Sequence, residues 1–491
     1  MSAGAAPTSE QSSYRRILTS TSIVGGATVG TILIGIVRVK LLALMVGPAG
    51  IGLMGILANV SGLVSAVLGL GLSAAAVREI AAAPSPRQQA TVRHALWLAT
   101  IPLAFLGAAG LWFFRDAATR LAADDPSLAF LVGLSGLAVA FSILGAAQQG
   151  VLQGLQRIKA LSMVKVGGAL LATLIALPAV YSLGQTGILI AVVAVPLATW
   201  LVAIAVAPRE LPRAPATSRT GIGREWKALL RLGVPLTITS VAQLLSLAAV
   251  RAVVARDGGT EAAGLFQAVI AITSMNITLV LGAMAADYFP RISAAAMDSA
   301  ERSRIVNQQL HSALLLAAPL IVGMIGAAPL VLSLLYSQAF QGAEWMLRWQ
   351  LLGDLLKIAG WALGFVLLTS DNRRAFMAVE FLYTAVLVAS SFLLVPTFGL
   401  TGAGMAYALS YLVYAGVLLI VCARGFSVSI DAGNRKLLLA LVGAGAALMV
   451  LASWNFWVAA LAAILAAGVL ALVAVRSLSA RAGIRIRLPG R

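Results

Sequence analysis

Stretches of about 20 apolar residues recur along nearly the whole of this chain. Each is long enough, at about 1.5 Å per helical residue, to cross a hydrocarbon core about 30 Å thick. That recurrence restricts the fold more than any single motif does, because in lipid only helices and closed barrels satisfy their own backbone hydrogen bonds. A barrel would be written as segments of about 10 residues alternating apolar and polar, and these runs are continuous. The expected fold class is therefore an all-α polytopic membrane protein. Composition agrees, with 60% hydrophobic and 11% charged residues against roughly 45–50% and about 25% in soluble domains.

Residues 1–16 read as a cytoplasmic tail. The run 17–37 exceeds the 7–15 residues of a signal-peptide core and reads as a retained helix. Further spans are expected at 50–76, 94–114, 128–150, 160–181 and 187–206, completing an N-lobe over 17–207. After a polar connector at 208–231, spans at 232–250, 262–286, 313–335, 349–368, 375–395 and 402–422 make a C-lobe over 232–422. Two more, at 437–452 and 456–475, precede a basic tail within 423–491, for about fourteen in all.

The formal charge of +18 would suggest nucleic acid in a soluble chain. Here topology accounts for most of it. With both termini in the cytoplasm, Arg38, Lys40, Arg115, Arg120, Arg251, Arg256 and Arg348 fall on the opposite side and Lys357 inside a span, leaving 27 of the 35 basic residues inside. That bias follows the positive-inside rule and supports an even helix number. No nucleic-acid partner is expected. One cysteine, Cys422, excludes an internal disulfide framework, and two histidines are too few for a His-rich centre.

A weak internal repeat relates the two groups of six. Arg38 falls on Arg251 at an offset of 213; Gly47, Gly52 and Leu53 fall on Gly259, Gly264 and Leu265 at 212. Arg78 with Ala81 to Ala83 falls on Arg291 with Ala294 to Ala296 at 213, and Leu183 to Gly187 falls on Phe398 to Gly402 at 215. Because six is even, the halves share one topology, and a binding site is expected between them near mid-membrane.

No P-loop, HExxH, CxxC or acidic DxD-like cluster is present, so no cofactor, metal or catalytic residue is expected. The ionisable residues inside spans are costly and are the functional candidates. Arg38 and Lys40 end the first helix, two positions and so about 200° apart, and Arg251 ends the seventh at the matching place. They either snorkel to headgroups or line a pathway. Asp354 and Lys357, three apart on the tenth helix, share a face and read as an ion pair or as a cavity-lining lysine held by the aspartate. Lys165 and Glu380 match at an offset of 215 and serve as an inter-half pair or as interface anchors. Gln243 and Gln267 are among the neutral polar groups that either glue helices or wet a cavity. The first six spans hold no interior Asp or Glu. A carrier of cations would be expected to place a carboxylate there, which favours an anionic substrate.

The run Arg38-Val-Lys40-Leu-Leu with Gly47-Pro-Ala-Gly-Ile-Gly-Leu53 behind it resembles polysaccharide flippases of the multidrug/oligosaccharidyl-lipid/polysaccharide exporter superfamily. Gly71-Leu-Ser73 leading to Arg78-Glu79, and Gly154-Leu-Gln-Arg-Ile-Lys-Ala160, strengthen the resemblance, which extends over residues 15–422. It implies two six-helix lobes around a central cavity with two helices appended, and rocking of the lobes in the bacterial inner membrane. The implied substrate is an undecaprenyl-pyrophosphate-linked oligosaccharide, O-antigen or a related unit. Arg38, Lys40, Arg251 and Lys357 become candidates for its anionic headgroup, Gln243 and Gln267 for sugar hydroxyls, and Asp354 or Glu380 for ion coupling. Implied partners are membrane lipids and a glycan polymerase and chain-length regulator of the same pathway. A cation-coupled multidrug or metabolite exporter is the alternative, and a glycan polymerase or ligase stands further off.

Overall fold

The computed structural model describes residues 9–122, 125–207, 219–295, 298–370 and 373–481. Every regular element among them is helical, as continuous apolar runs require in lipid. The chain divides into two compact units, Met1–Ala248 and Ala249–Arg491.

The first unit opens with α1 (Ser9–Gly69), two helical arms meeting at Gly47, whose φ of 63° only glycine adopts without strain. Short α2 (Leu72–Ala82) follows a break at Leu70 and Gly71, both at positive φ. The sequence reads one unbroken span across this point, since apolar continuity carries no sign of a backbone reversal. Gly71 lies so close to Gly233 that a Cβ there would stand 2.3 Å from the Gly233 carbonyl oxygen. Next come α3 (Pro86–Phe113), α4 (Arg115–Ala122), α5 (Ala129–Leu134), α6 (Gly136–Gly154), α7 (Ile158–Leu183) and α8 (Gln185–Ala205). Ser85 caps α3 by accepting from the Gln88 amide. Leu53, Leu57, Val132, Val139 and Ile188 form one apolar core and Leu72, Ala76, Ile80, Leu96 and Leu229 another.

Helix α9 (Arg219–Ala294) begins in the first unit and ends in the second. It bends at Gly259 with φ 69° and ψ −166°, almost the values of Gly47, 63° and −169°. The second unit continues through α10 (Ser299–Gly326), α11 (Ala328–Leu335), α12 (Glu344–Leu368), α13 (Arg373–Phe398), α14 (Leu400–Phe426), α15 (Ala432–Trp454) and α16 (Phe456–Arg481). The repeat holds for several elements. Helices α3 and α4 recur as α10 and α11 at 213 residues, and α7 recurs as α13 at 215. The α7–α8 turn at Gly184 and the α13–α14 turn at Gly399 both have φ 56°.

Eleven helices among the described residues are long and apolar enough to cross a membrane. The expected count of fourteen requires both arms of α1 and both arms of α9 to cross separately. Helix α16 packs on α10 through small residues, Gly326 meeting Ala459 and Ala463 and Gly323 meeting Ala467, and α15 meets it where Gly445 faces Ile325. A polar latch holds the α14–α15 turn to α10. The Asn434 amide donates to the Asn307 carbonyl at 2.9 Å, the Asp431 amide donates to Asn307 Oδ1 at 2.8 Å, and His311 lies 3.0 Å from Asn434 Oδ1.

Candidate functional site

Four of the chain's eight tyrosines meet in the second unit. Helix α14 sets Tyr407, Tyr411 and Tyr414 at i, i+4 and i+7, hence on one face. Helix α13 contributes Tyr383 and Glu380, and α12 contributes Asp354 and Lys357. Glycines on α12 admit the rings: a Cβ at Gly353 would stand 2.8 Å from Tyr407, and one at Gly360 2.7 Å from Tyr414. Ring centroids lie 4.7 Å apart for Tyr383 and Tyr411, 4.8 Å for Tyr407 and Tyr411, and 5.7 Å for Tyr383 and Tyr414.

Asp354 is fully buried. The Tyr407 hydroxyl donates to its Oδ1 at 2.7 Å and accepts from Lys357 Nζ at 3.3 Å. The aspartate and lysine therefore meet through a hydroxyl supplied by α14 and not in the direct pair that their spacing suggests. The Lys357 ammonium lies 5.8 Å from the Tyr407 ring and 5.3 Å from Tyr411, over their electron-rich faces. Asp354 Oδ2 takes no hydrogen bond among the described residues. Tyr414 donates to Glu380 Oε1 at 2.7 Å. Each charge is thus tied to a tyrosine, which lowers the cost of holding it away from bulk water.

Arg251 and Gln267, one on each arm of α9, come together across the bend at Gly259. The buried Arg251 guanidinium donates to Gln267 Oε1 and lies 5.8 Å from the Phe266 ring. Six residues beyond Gln267, Thr273 donates to Gln350 Oε1 at 3.2 Å, reaching the helix that carries Asp354. The remaining candidates fall in the first unit: Arg38 and Lys40 are half-buried on α1, and Gln243 is exposed on the first arm of α9. The first unit also holds a cavity of about 360 Å³ at the α1–α2 break, lined by Ser65, Ser73, Thr100, Ser142, Thr237 and Ser240. Tyr383, Tyr407, Tyr411 and Tyr414 escape a reading centred on charge. Their signal was nevertheless present, because tyrosines normally gather at the membrane interfaces and a tyrosine stripe inside a span is out of place.

The fold is shared with solved structures of transporters. The chain is similar to the lipid II flippase MurJ in an inward closed conformation, with a TM-score of 0.67 and 13% identity over 93% of this chain and 99% of that one. It is similar also to an inward-facing multidrug resistance MATE transporter of the MOP superfamily, with a TM-score of 0.66 and 19% identity over 84% and 95%. The fold is that of the MOP-superfamily transporters, in a multi-pass membrane protein. Residues 17–296 match the family described as polysaccharide biosynthesis protein, and the chain belongs to that family. Among curated proteins it is 24% identical over 181 residues to the lipid III flippase of Escherichia coli K12 and to that of Shigella flexneri. That match spans 36% of this chain and 42% of each relative.

Proposed function

We propose that the protein is a flippase that moves an undecaprenyl-pyrophosphate-linked oligosaccharide, an O-antigen or related repeat unit, across the bacterial cytoplasmic membrane by alternating access. The observation that carries the reading is Arg251: a buried arginine on α9, held by Gln267 across the bend at Gly259, with Arg38 at the matching place of the first repeat. Guanidinium groups suit a pyrophosphate because their planar donors bind its oxygens in pairs. Lys40 adds positive charge for the same headgroup, and Gln243 and Gln267 are assigned to sugar hydroxyls. The two six-helix lobes, 17–207 and 232–422, would rock about the cargo while its polyprenyl tail stays in lipid. Asp354 and Glu380 are the carboxylates proposed for coupling to an ion gradient. Both termini are placed in the cytoplasm, in keeping with the charge bias. Membrane lipids and the polymerase and chain-length regulator of the same pathway are the proposed partners. The chain is proposed to carry no catalytic activity of its own.

The likeness to the polysaccharide biosynthesis family and to the lipid III flippases supports a glycan-lipid cargo. The multidrug alternative draws on a fold likeness alone, and the first six spans lack an interior carboxylate to attract a cationic drug. Deleting the gene should strand glycan-lipid in the cytoplasmic leaflet, with rescue by the intact gene and not by Arg38→Ala or Arg251→Ala. Normal surface glycan with both variants removes the assignment of these arginines. Altered resistance to small cations with glycan display intact replaces the flippase with the exporter.

A further inference from the structure

We propose that the open side of the tyrosine cluster is a glycan subsite, where a sugar ring of the cargo stacks on Tyr383 and Tyr411 and shares its hydroxyls with Glu380 and Lys357. The inference rests on the reading of the cargo as a lipid-linked oligosaccharide. The cluster has a back and a front. Asp354, Tyr407 and Tyr414 are buried and hold it together, whereas Lys357, Glu380, Tyr383 and Tyr411 are each partly exposed. An ammonium and a carboxylate inside spans that keep partial exposure face water or a cavity, since hydrocarbon contact is too costly.

That front presents two rings 4.7 Å apart, inclined at 44°, an ammonium 5.3 Å from one ring, and a carboxylate whose Oε1 is already bonded by Tyr414. A pyranose matches this set. Its C–H face packs on aromatic carbon, and its hydroxyls both donate and accept, so one ring can satisfy a donor-only ammonium and an acceptor-only carboxylate together. A metal ion or organic cation is a poorer match, because the Lys357 ammonium beside Tyr407 and Tyr411 repels a second positive charge. A polyprenyl chain would desolvate both charges without replacing their hydrogen bonds. In the first unit, Gly168 and Thr199 stand where the repeat has Tyr383 and Tyr414. Sugar contact through this surface is therefore one-sided.

The test uses the purified full chain in lipid nanodiscs and two probes: undecaprenyl pyrophosphate, and the undecaprenyl-pyrophosphate-linked oligosaccharide extracted from a native host lacking this protein. The intact protein should bind the glycan-bearing lipid about tenfold more tightly, a difference of about 1.4 kcal/mol. Tyr411→Ala and Tyr383→Ala should bring that ratio close to one while leaving affinity for the bare lipid within about twofold. Tyr411→Phe, which keeps the ring, should retain the preference, and Glu380→Gln, which keeps the shape, should reduce it. A preserved preference in both alanine variants overturns the subsite, as does an equal loss for the two lipids, which would mark the tyrosines as packing alone. Failure of the intact protein to bind either lipid overturns the cargo reading and the subsite with it, so the two failures are distinguishable.

Discussion

Helices α3 and α10 are each 28 residues long and begin 213 positions apart, yet 28% of the most apolar window of α3 is buried against 67% of that of α10. The difference comes from α15 and α16, which cover α10 through glycine and alanine contacts and the Asn307–Asn434 latch. A second contrast sits in the following hairpins. Helices α7 and α8 close on Gly168 against Thr199, whereas α13 and α14 close at the same places on Tyr383 and Tyr414, ring to ring at 5.7 Å. Backbone devices are shared between the halves, as the near-identical bends at Gly47 and Gly259 show. Side-chain chemistry is not shared. The repeat keeps its turns and changes its contents.

Substitutions at matched glycines test the shared part and should have the largest effects. A Cβ at Gly187 would stand 2.2 Å from the Ala179 carbonyl oxygen and one at Gly402 2.1 Å from that of Leu394. Gly187→Val and Gly402→Val should each destabilise by about 3 kcal/mol, read as matching falls in thermal unfolding midpoint. Unequal falls would break the equivalence of the hairpins. Tyr407→Phe tests the unshared part. It strips the donor from buried Asp354 and should cost about 2 kcal/mol, whereas the repeat places Val192 at this position, where no such bond exists to lose. Asn434→Ala should cost about 1 kcal/mol and raise hydrogen exchange in α15 and its turn while leaving α3 unchanged.

The smallest effect belongs to Glu225, near the start of α9. Burial, then the neighbouring Glu79, raises the pKa of Glu225 above the usual carboxylate value, with Arg224 opposing. Because the folded pKa is the higher one, the stability this group contributes is present below the unfolded value and is lost as pH rises through the folded one. Glu225→Gln should flatten that loss and stabilise the protein near neutral pH by a few tenths of a kcal/mol, since the group is only partly buried and is screened by solvent. A pH profile identical to that of the parent would remove Glu225 from the account.

Most of the helical framework is legible in the sequence, because 20-residue apolar runs report burial in lipid directly and the paired glycines report the bends. The break at Leu70 and Gly71 is not legible, since both neighbours continue an apolar pattern and only the close approach of Gly233 demands it. For the candidate site, charge singles out Asp354, Lys357, Glu380 and Arg251, of which Asp354 and Arg251 are buried. What links them is hidden, because a spacing of three places Asp354 and Lys357 on one face but says nothing of a hydroxyl arriving from a helix 50 residues away. Arg251 with Gln267 is a similar case: each stands out as polar, and only the bend at Gly259 joins them.

The most direct test of the central claim is lipid translocation by the purified protein. Vesicles carrying the undecaprenyl-pyrophosphate-linked oligosaccharide in one leaflet should expose it in the other when the intact protein is present, at a rate that Arg251→Ala reduces about tenfold or more. Equal rates in protein-free vesicles, in vesicles with the intact protein and in those with Arg251→Ala would contradict the account.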